Sequence, residues 1–193
     1  MATTTKERIL DTTAELFRRY GYTGTGLKQI VAEAQAPFGS IYHHFPGGKE
    51  QLGQEVILRS GAMYQELFET ILGAAPDVLT GVRNLFDGAA ELLRQTGYAD
   101  ACPIATVALE VASSNEPLRM ATAEVFESWI EAGTARFTTA GVPEEKARDV
   151  AIVLITSLEG AFILSRAMRD TEPVRVAGET TIAALRAALG DEA

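Results

Sequence analysis

The chain is predicted to be all-α: three short helices at the N-terminus, then a bundle of longer ones. Three observations predict this. Alternating β-branched runs bounded by hairpin turns are absent. Apolar residues recur at helical spacing from Ile9 onward. The breaks between those stretches carry Gly or Pro.

The elements follow in order. Thr4 and Glu7 form a T-x-x-E capping box, and Ile9, Leu10, Ala14, Leu16, Phe17 and Tyr20 follow on one face. Gly21 stops this first helix. Thr25 is placed to cap a second helix, LKQIVAEA. QAPFG is a tight break, and FGSIYHHF a third helix with Pro37 in its first turn. PGG at 46–48 ends it, and Lys49 opens a long helix to about Leu72. Further helices are expected near 76–96, 103–113, 116–140, 143–169 and 172–189. The natural division is 1–48 and 49–193.

Of 193 residues, 47% are hydrophobic, enough for a substantial core. MATTTKERILD turns charged where a secretory leader would turn apolar. AIVLITSL at 151–158 is stopped by Glu159, short of a membrane span. The single cysteine, Cys102, excludes an internal disulfide and fits a reducing cytoplasm. The net charge of −9 is unevenly spread. Residues 1–60 carry seven Lys/Arg against six Asp/Glu, whereas residues 61–193 carry ten against twenty. An acidic body discourages docking on a polyanion by the wrong face and leaves the near-neutral start available.

Both histidines lie in GSIYHHFPGGKEQL, residues 39–52. His43 and His44 are adjacent, so on a helix they point about 100° apart and cannot chelate one ion from one face. Zinc takes three or four such ligands, so no metal is expected. GGKE lacks the GK[ST] ending of a phosphate loop, and GTG at 24–26 is no dinucleotide fingerprint. No nucleophile stands with a base, so neither catalysis nor a cofactor is expected. The spacing of helices 27–34 and 38–45 is instead that of a helix-turn-helix unit, with Ile30, Ile41 and Phe45 as its core. Phe38, Gly39 and Ser40 open the second helix of the pair, and its small residues let backbone approach base edges. Tyr42, His43 and His44 offer hydroxyl and imidazole donors. Lys49, Thr25 and Lys28 stand at helix starts, where a side chain and free amides together hold a phosphate.

These residues carry a resemblance. Ile9-Leu10, Ala14, Phe17, Gly21-Tyr22, Thr25, Ile30, Ala34, Gly39, Ile41-Tyr42, His44-Phe45 and Lys49-Glu50-Gln51-Leu52 resemble the DNA-binding domain of the TetR/AcrR family of transcriptional regulators. The resemblance implies phosphate contacts from Tyr42, His44 and Lys49, and a groove-facing His43. Three departures stand out. Gln35 replaces a customary Gly, Pro37 a customary Ser or Thr, and FPGGK is one residue longer than the usual spacing.

CPIATVALE at 102–110 and LEGAFILSRA at 158–167 resemble the LmrA/YxaF-like branch. The resemblance implies an effector pocket and a dimer interface in the C-terminal part. Candidate pocket residues are Phe86, Cys102, Thr106, Phe126, Trp129, Glu159 and Phe162. VAIVLITSLEGAFILSRAM is apolar nearly all round, as befits a helix burying two faces. Leu154, Ser157, Leu158, Ala161 and Ser165, with Ile182, Leu185 and Leu189 of the last helix, are the candidate dimer interface. The expectation is a cytoplasmic, homodimeric repressor. It would hold a pseudo-palindromic operator in double-stranded DNA and be released by an apolar or aromatic small molecule. Two other classes stay open here: a helical ligand-binding protein that no longer reads DNA, and a small helical enzyme using Glu159 or His44.

Overall fold

The structure, a computed structural model, describes residues 3–190. Those residues form nine helices and no strand: α1 (Thr5–Tyr20), α2 (Leu27–Glu33), α3 (Gly39–His44), α4 (Gly48–Ala74), α5 (Val78–Gln95), α6 (Pro103–Val111), α7 (Glu116–Thr139), α8 (Glu144–Met168) and α9 (Glu172–Leu189). Helix ends fall within about two residues of those expected, because Gly and Pro fix them locally. The capping box on α1 is formed: Thr4 Oγ1 accepts the Glu7 amide, and Glu7 Oε2 accepts the Thr4 amide at 2.7 Å. Pro37 lies just before α3 rather than inside it, and its carbonyl accepts the Ser40 amide.

Two compact units divide the chain. The first is Met1–Ala62 with Ala101–Val125. Compactness therefore does not follow the 48/49 division: α6 and the first part of α7 join α1–α3 and the start of α4. Within this unit α1 packs against α2, α3 and α6. Gly53 on α4 sits so close to Leu118 and Tyr22 that an added Cβ would lie 3.1 Å from each. Ile9, Phe17, Ile30, Ile41, Phe45 and Leu52 are fully buried. Lys6 pairs with Glu55 at 2.7 Å and Arg59 with Asp11 at 2.9 Å.

The second unit is Met63–Asp100 with Phe126–Ala193. Here α5, α8 and α9 pack pairwise around Phe86, Leu93, Phe137, Leu154, Val174 and Leu185. Gly178 lets α9 approach Phe86, whose Cγ would stand 2.9 Å from a Cβ there. Arg166 donates to the carbonyls of Tyr98 and Ala99, at 3.3 and 3.0 Å, satisfying backbone beyond the end of α5.

Helix α8 corrects one expectation. It runs 25 residues and contains an 18-residue window of mean hydropathy 1.7, long and apolar enough to cross a membrane by those measures alone. Its apolarity serves two sides. Ala147, Val150, Ala151, Leu154, Ala161 and Ser165 are buried in the unit. Ile152, Ile163, Leu164 and Met168 remain in water, Ile163 and Leu164 each 55% exposed.

Candidate nucleic-acid interface

The helix-turn-helix is built around its turn. The Ala36 amide reaches back to the Val31 carbonyl at 2.9 Å, closing α2 as a Schellman motif. That motif needs a left-handed residue, and Gln35 takes it with φ +50. A side chain there costs about 1 kcal/mol relative to Gly. Arg8 of α1 ties the turn down: its guanidinium donates to the carbonyls of Ala34 and Gln35, at 3.1 and 3.4 Å. Sequence reading gave Arg8 no role, because its partners lie 26 and 27 residues away.

Beyond the turn, α3 buries Ile41 and turns its other residues outward. Tyr42 is 53% exposed and Phe38 46%, their rings meeting edge to face at 6.1 Å. Gly39 is open, with no atom within 4 Å of a would-be Cβ. His43 and Lys28 are exposed; Ser40 and His44 are half-buried. The two imidazoles stand 4.7 Å apart, and His44 also edges onto buried Phe45. The structure thus brings Phe38, Gly39, Ser40, Tyr42, His43 and His44 onto one short helix, with Lys28 on its partner.

Thr25 needs correcting. It is fully buried and its hydroxyl donates to the Gly21 carbonyl at 2.7 Å. Gly26 stands at the N-cap of α2, and no side chain caps it. The Thr25 hydroxyl ties the α1–α2 loop together and has no proton to offer a phosphate. At the start of α4 two amides are likewise taken: Gly47 donates to Gln51 Oε1 at 2.9 Å and Gly48 to the Phe45 carbonyl at 2.8 Å. The Lys49 ammonium rests over the Tyr22 ring, 4.3 Å from its centroid. Burial pushes Lys49 below the usual lysine range, against an upward pull from the Glu110 carboxylate. Burial pushes the Tyr22 phenol up, and Glu50 adds to that.

The chain matches the tetR family of bacterial regulatory proteins over residues 9–56, and the LmrA/YxaF-like transcriptional regulator C-terminal domain over residues 78–180. It belongs to the TetR family, in the LmrA/YxaF-like branch. The HTH-type transcriptional regulator YxaF of Bacillus subtilis is 32% identical over 174 residues, covering 90% of this chain and 91% of that one. LmrA of the same organism is 31% identical over 88% of this chain and 90% of its own. The HTH-type transcriptional repressor DhaR of a Mycobacterium species is 26% identical over 89% and 87%. A TetR transcriptional regulator from Legionella pneumophila shares the fold with a TM-score of 0.83 at 24% identity, over 93% of this chain and 96% of that one. The family is one of DNA-binding transcriptional regulators, not enzymes.

In this TetR-family chain the expected pocket residues fall in both compact units. Cys102 and Thr106 belong to the first compact unit; Phe86, Phe126, Trp129, Glu159 and Phe162 belong to the second. Cys102 is half-buried at the N-cap of α6, where its Sγ accepts the Ala105 amide at 3.5 Å, and its carbonyl accepts the Thr106 hydroxyl at 2.8 Å. Cys102 thus caps α6, and the Thr106 hydroxyl bonds back to the preceding turn of the same helix. Phe86 is core, buried against α9. Phe126 and Trp129 do meet, at 5.7 Å, and Tyr64 completes an edge-to-face trio. A cleft of about 390 Å³ between α7 and α8 is lined by Glu131, Thr134, Ala135, Thr138, Glu144 and Arg148, none of them expected.

The expected interface residues also divide. Leu154, Ala161, Ser165, Ile182 and Leu185 are buried within the unit, which leaves them little surface for a second chain. Ser157, Leu158 and Leu189 are half-buried. The exposed apolar side chains are Ile152, Ile163, Leu164 and Met168 on α8 and Val176 on α9. The sequence missed them because α8 is apolar on both sides and its periodicity does not tell inner from outer.

Proposed function

We propose that this chain is a cytoplasmic, homodimeric repressor that leaves its operator when a small molecule binds. The observation that carries the reading is the outward face of α3. Phe38, Tyr42 and His43 stand in water on a helix anchored by fully buried Ile41 and Phe45. Aromatic and imidazole side chains held out from a rigid base suit a major groove better than they suit bulk solvent. In this reading α3 enters the groove with Phe38, Gly39, Ser40 and His43 at base edges. Tyr42, His44, Lys49 and Lys28 hold phosphates on either side.

Two copies would meet through the outer face of α8 and α9. Isolated aliphatic side chains are normal on a surface, but Ile152, Ile163, Leu164 and Met168 share one helix. A two-fold pair would read a pseudo-palindromic operator with half-sites about one turn apart. The effector site is assigned to the second unit, near Phe126, Trp129 and Tyr64, which favours an apolar or aromatic molecule. An effector acts by binding more tightly to the form that holds DNA poorly, and affinity falls by that difference. The repressor sign follows DhaR, itself a transcriptional repressor.

The test is selection of duplexes from a random library, then anisotropy titration across a salt series. Tight binding to one palindromic sequence, weakened by Tyr42→Phe, His44→Ala and Lys49→Ala, is the expected result. Weak, sequence-blind binding that these substitutions leave untouched overturns the reading.

A further inference from the structure

Glu110 lies on α6, 87 residues beyond Thr23, yet both belong to the first compact unit. Its Oε2 accepts the Thr23 amide at 2.6 Å. Gly21 makes room for it: a Cβ at that position would overlap the carboxylate, and φ there is +72. Between Gly21 and Thr23 stands Tyr22, whose ring carries the Lys49 ammonium at 4.3 Å. The same ring meets Phe17 edge to face at 5.7 Å and lies against Gly53 of α4. One turn further on, Asn115 donates to Glu50 Oε2 at 2.8 Å, a second tie from this segment to the start of α4.

We propose that Glu110 is a positioning residue for operator binding. Its carboxylate clamps the α1–α2 loop, the loop holds the Tyr22 ring, and the ring holds Lys49 extended where a phosphate is to be gripped. A free lysine stem loses its rotamer freedom when it grips a phosphate; one already laid on an aromatic ring has lost part of it beforehand. The clamp is a charge-assisted bond to a backbone amide, the stronger kind. It is made only because glycine at 21 leaves the seat empty.

This rests on the DNA-binding reading above, and the test separates the two. Wild type, Glu110→Ala, Glu110→Gln, Lys49→Ala and the Glu110→Ala/Lys49→Ala double variant are titrated with the selected duplex across a salt series. Glu110→Ala is expected to weaken binding about tenfold and to lower the salt slope by about one, as loss of a phosphate contact does. In the Lys49→Ala background the same change should cost less than about twofold, since both act on one contact. Glu110→Gln keeps an oxygen for the Thr23 amide and should bind within about threefold of wild type. If Glu110→Ala fails to fold, Glu110→Asp carries the same expectation, being charged but one methylene short of the amide. Losses that multiply, a Gln variant as weak as Ala, or a Glu110→Ala variant as tight as wild type each overturn the proposal while leaving the regulator reading intact. Wild-type protein that selects no duplex overturns both.

Discussion

Both compact units join a buried apolar core with long-range clamps on backbone, but they place the clamps differently. In the first, groups far apart in sequence are clamped at the helix-turn-helix itself: Arg8 on the carbonyls of Ala34 and Gln35, Glu110 on the Thr23 amide. In the second, Arg136 and Arg166 reach the carbonyls of Leu72, Tyr98 and Ala99 toward the ends of α4 and α5, around a core with Phe86, Phe137, Leu93 and Leu185 shut inside. Their surfaces differ too. Helix α3 shows aromatic rings and imidazoles to water, whereas α8 shows isoleucine, leucine and methionine. A short reading helix has to be aimed, and directional bonds to backbone aim it. A bundle has only to keep its shape, and clamps at helix ends around a buried core serve that.

The contrast is open to attack at several points. The heaviest blow falls on the second unit's core. Phe86→Ala should cost about 3–5 kcal/mol of stability in denaturant unfolding, since it empties a packed site against Gly178. A loss under about 1 kcal/mol would return Phe86 to the effector pocket. Next comes the outer face of α8. Ile163→Asp should weaken self-association about a hundredfold in sedimentation equilibrium while leaving the monomer's helicity unchanged. The same change at buried Leu154 should instead unfold the protein.

Lys49→Ala should weaken operator binding about tenfold and reduce the salt slope by about one. The lowered Lys49 pKa adds a pH signature. Phosphate holds the protonated ammonium, so affinity should decline on the alkaline side earlier than an ordinary lysine dictates. Lys49→Arg should abolish that early decline, because guanidinium stays charged throughout. The smallest effect tests the strained turn. Gln35→Gly should raise the melting midpoint, a gain of about 1 kcal/mol at φ +50. No gain would mean that the Arg8 clamp already absorbs the strain.

Much of this was readable in the sequence. Helix boundaries are local, so Gly and Pro disclosed them. Ile30, Ile41 and Phe45 fell at helical spacing and are buried. What escaped was non-local. Nothing near residue 110 says that its carboxylate belongs beside Gly21. Thr25 looked like a cap because threonine before a helix often is one, but a nearer carbonyl took its hydroxyl. On α8 the inner and outer sides share one composition, so Leu154 and Ala161 were assigned outward although they are buried. Cys102 and Thr106 were grouped with aromatics that belong to the other compact unit, whereas the Cys102 Sγ and the Thr106 hydroxyl bond within the first turn of α6.

The membership of α6 in the first unit bears on how such regulators can be recombined. A chimera cut after α3, or even after Ala62, would carry a reading head whose Thr23 amide has lost its acceptor and whose seat at Gly21 stands vacant. The face of α1 that packs on α6 would be bare as well. A graft that keeps the head's aim has to bring Ala101–Val125 along, so the transplantable part here is two stretches of chain rather than one.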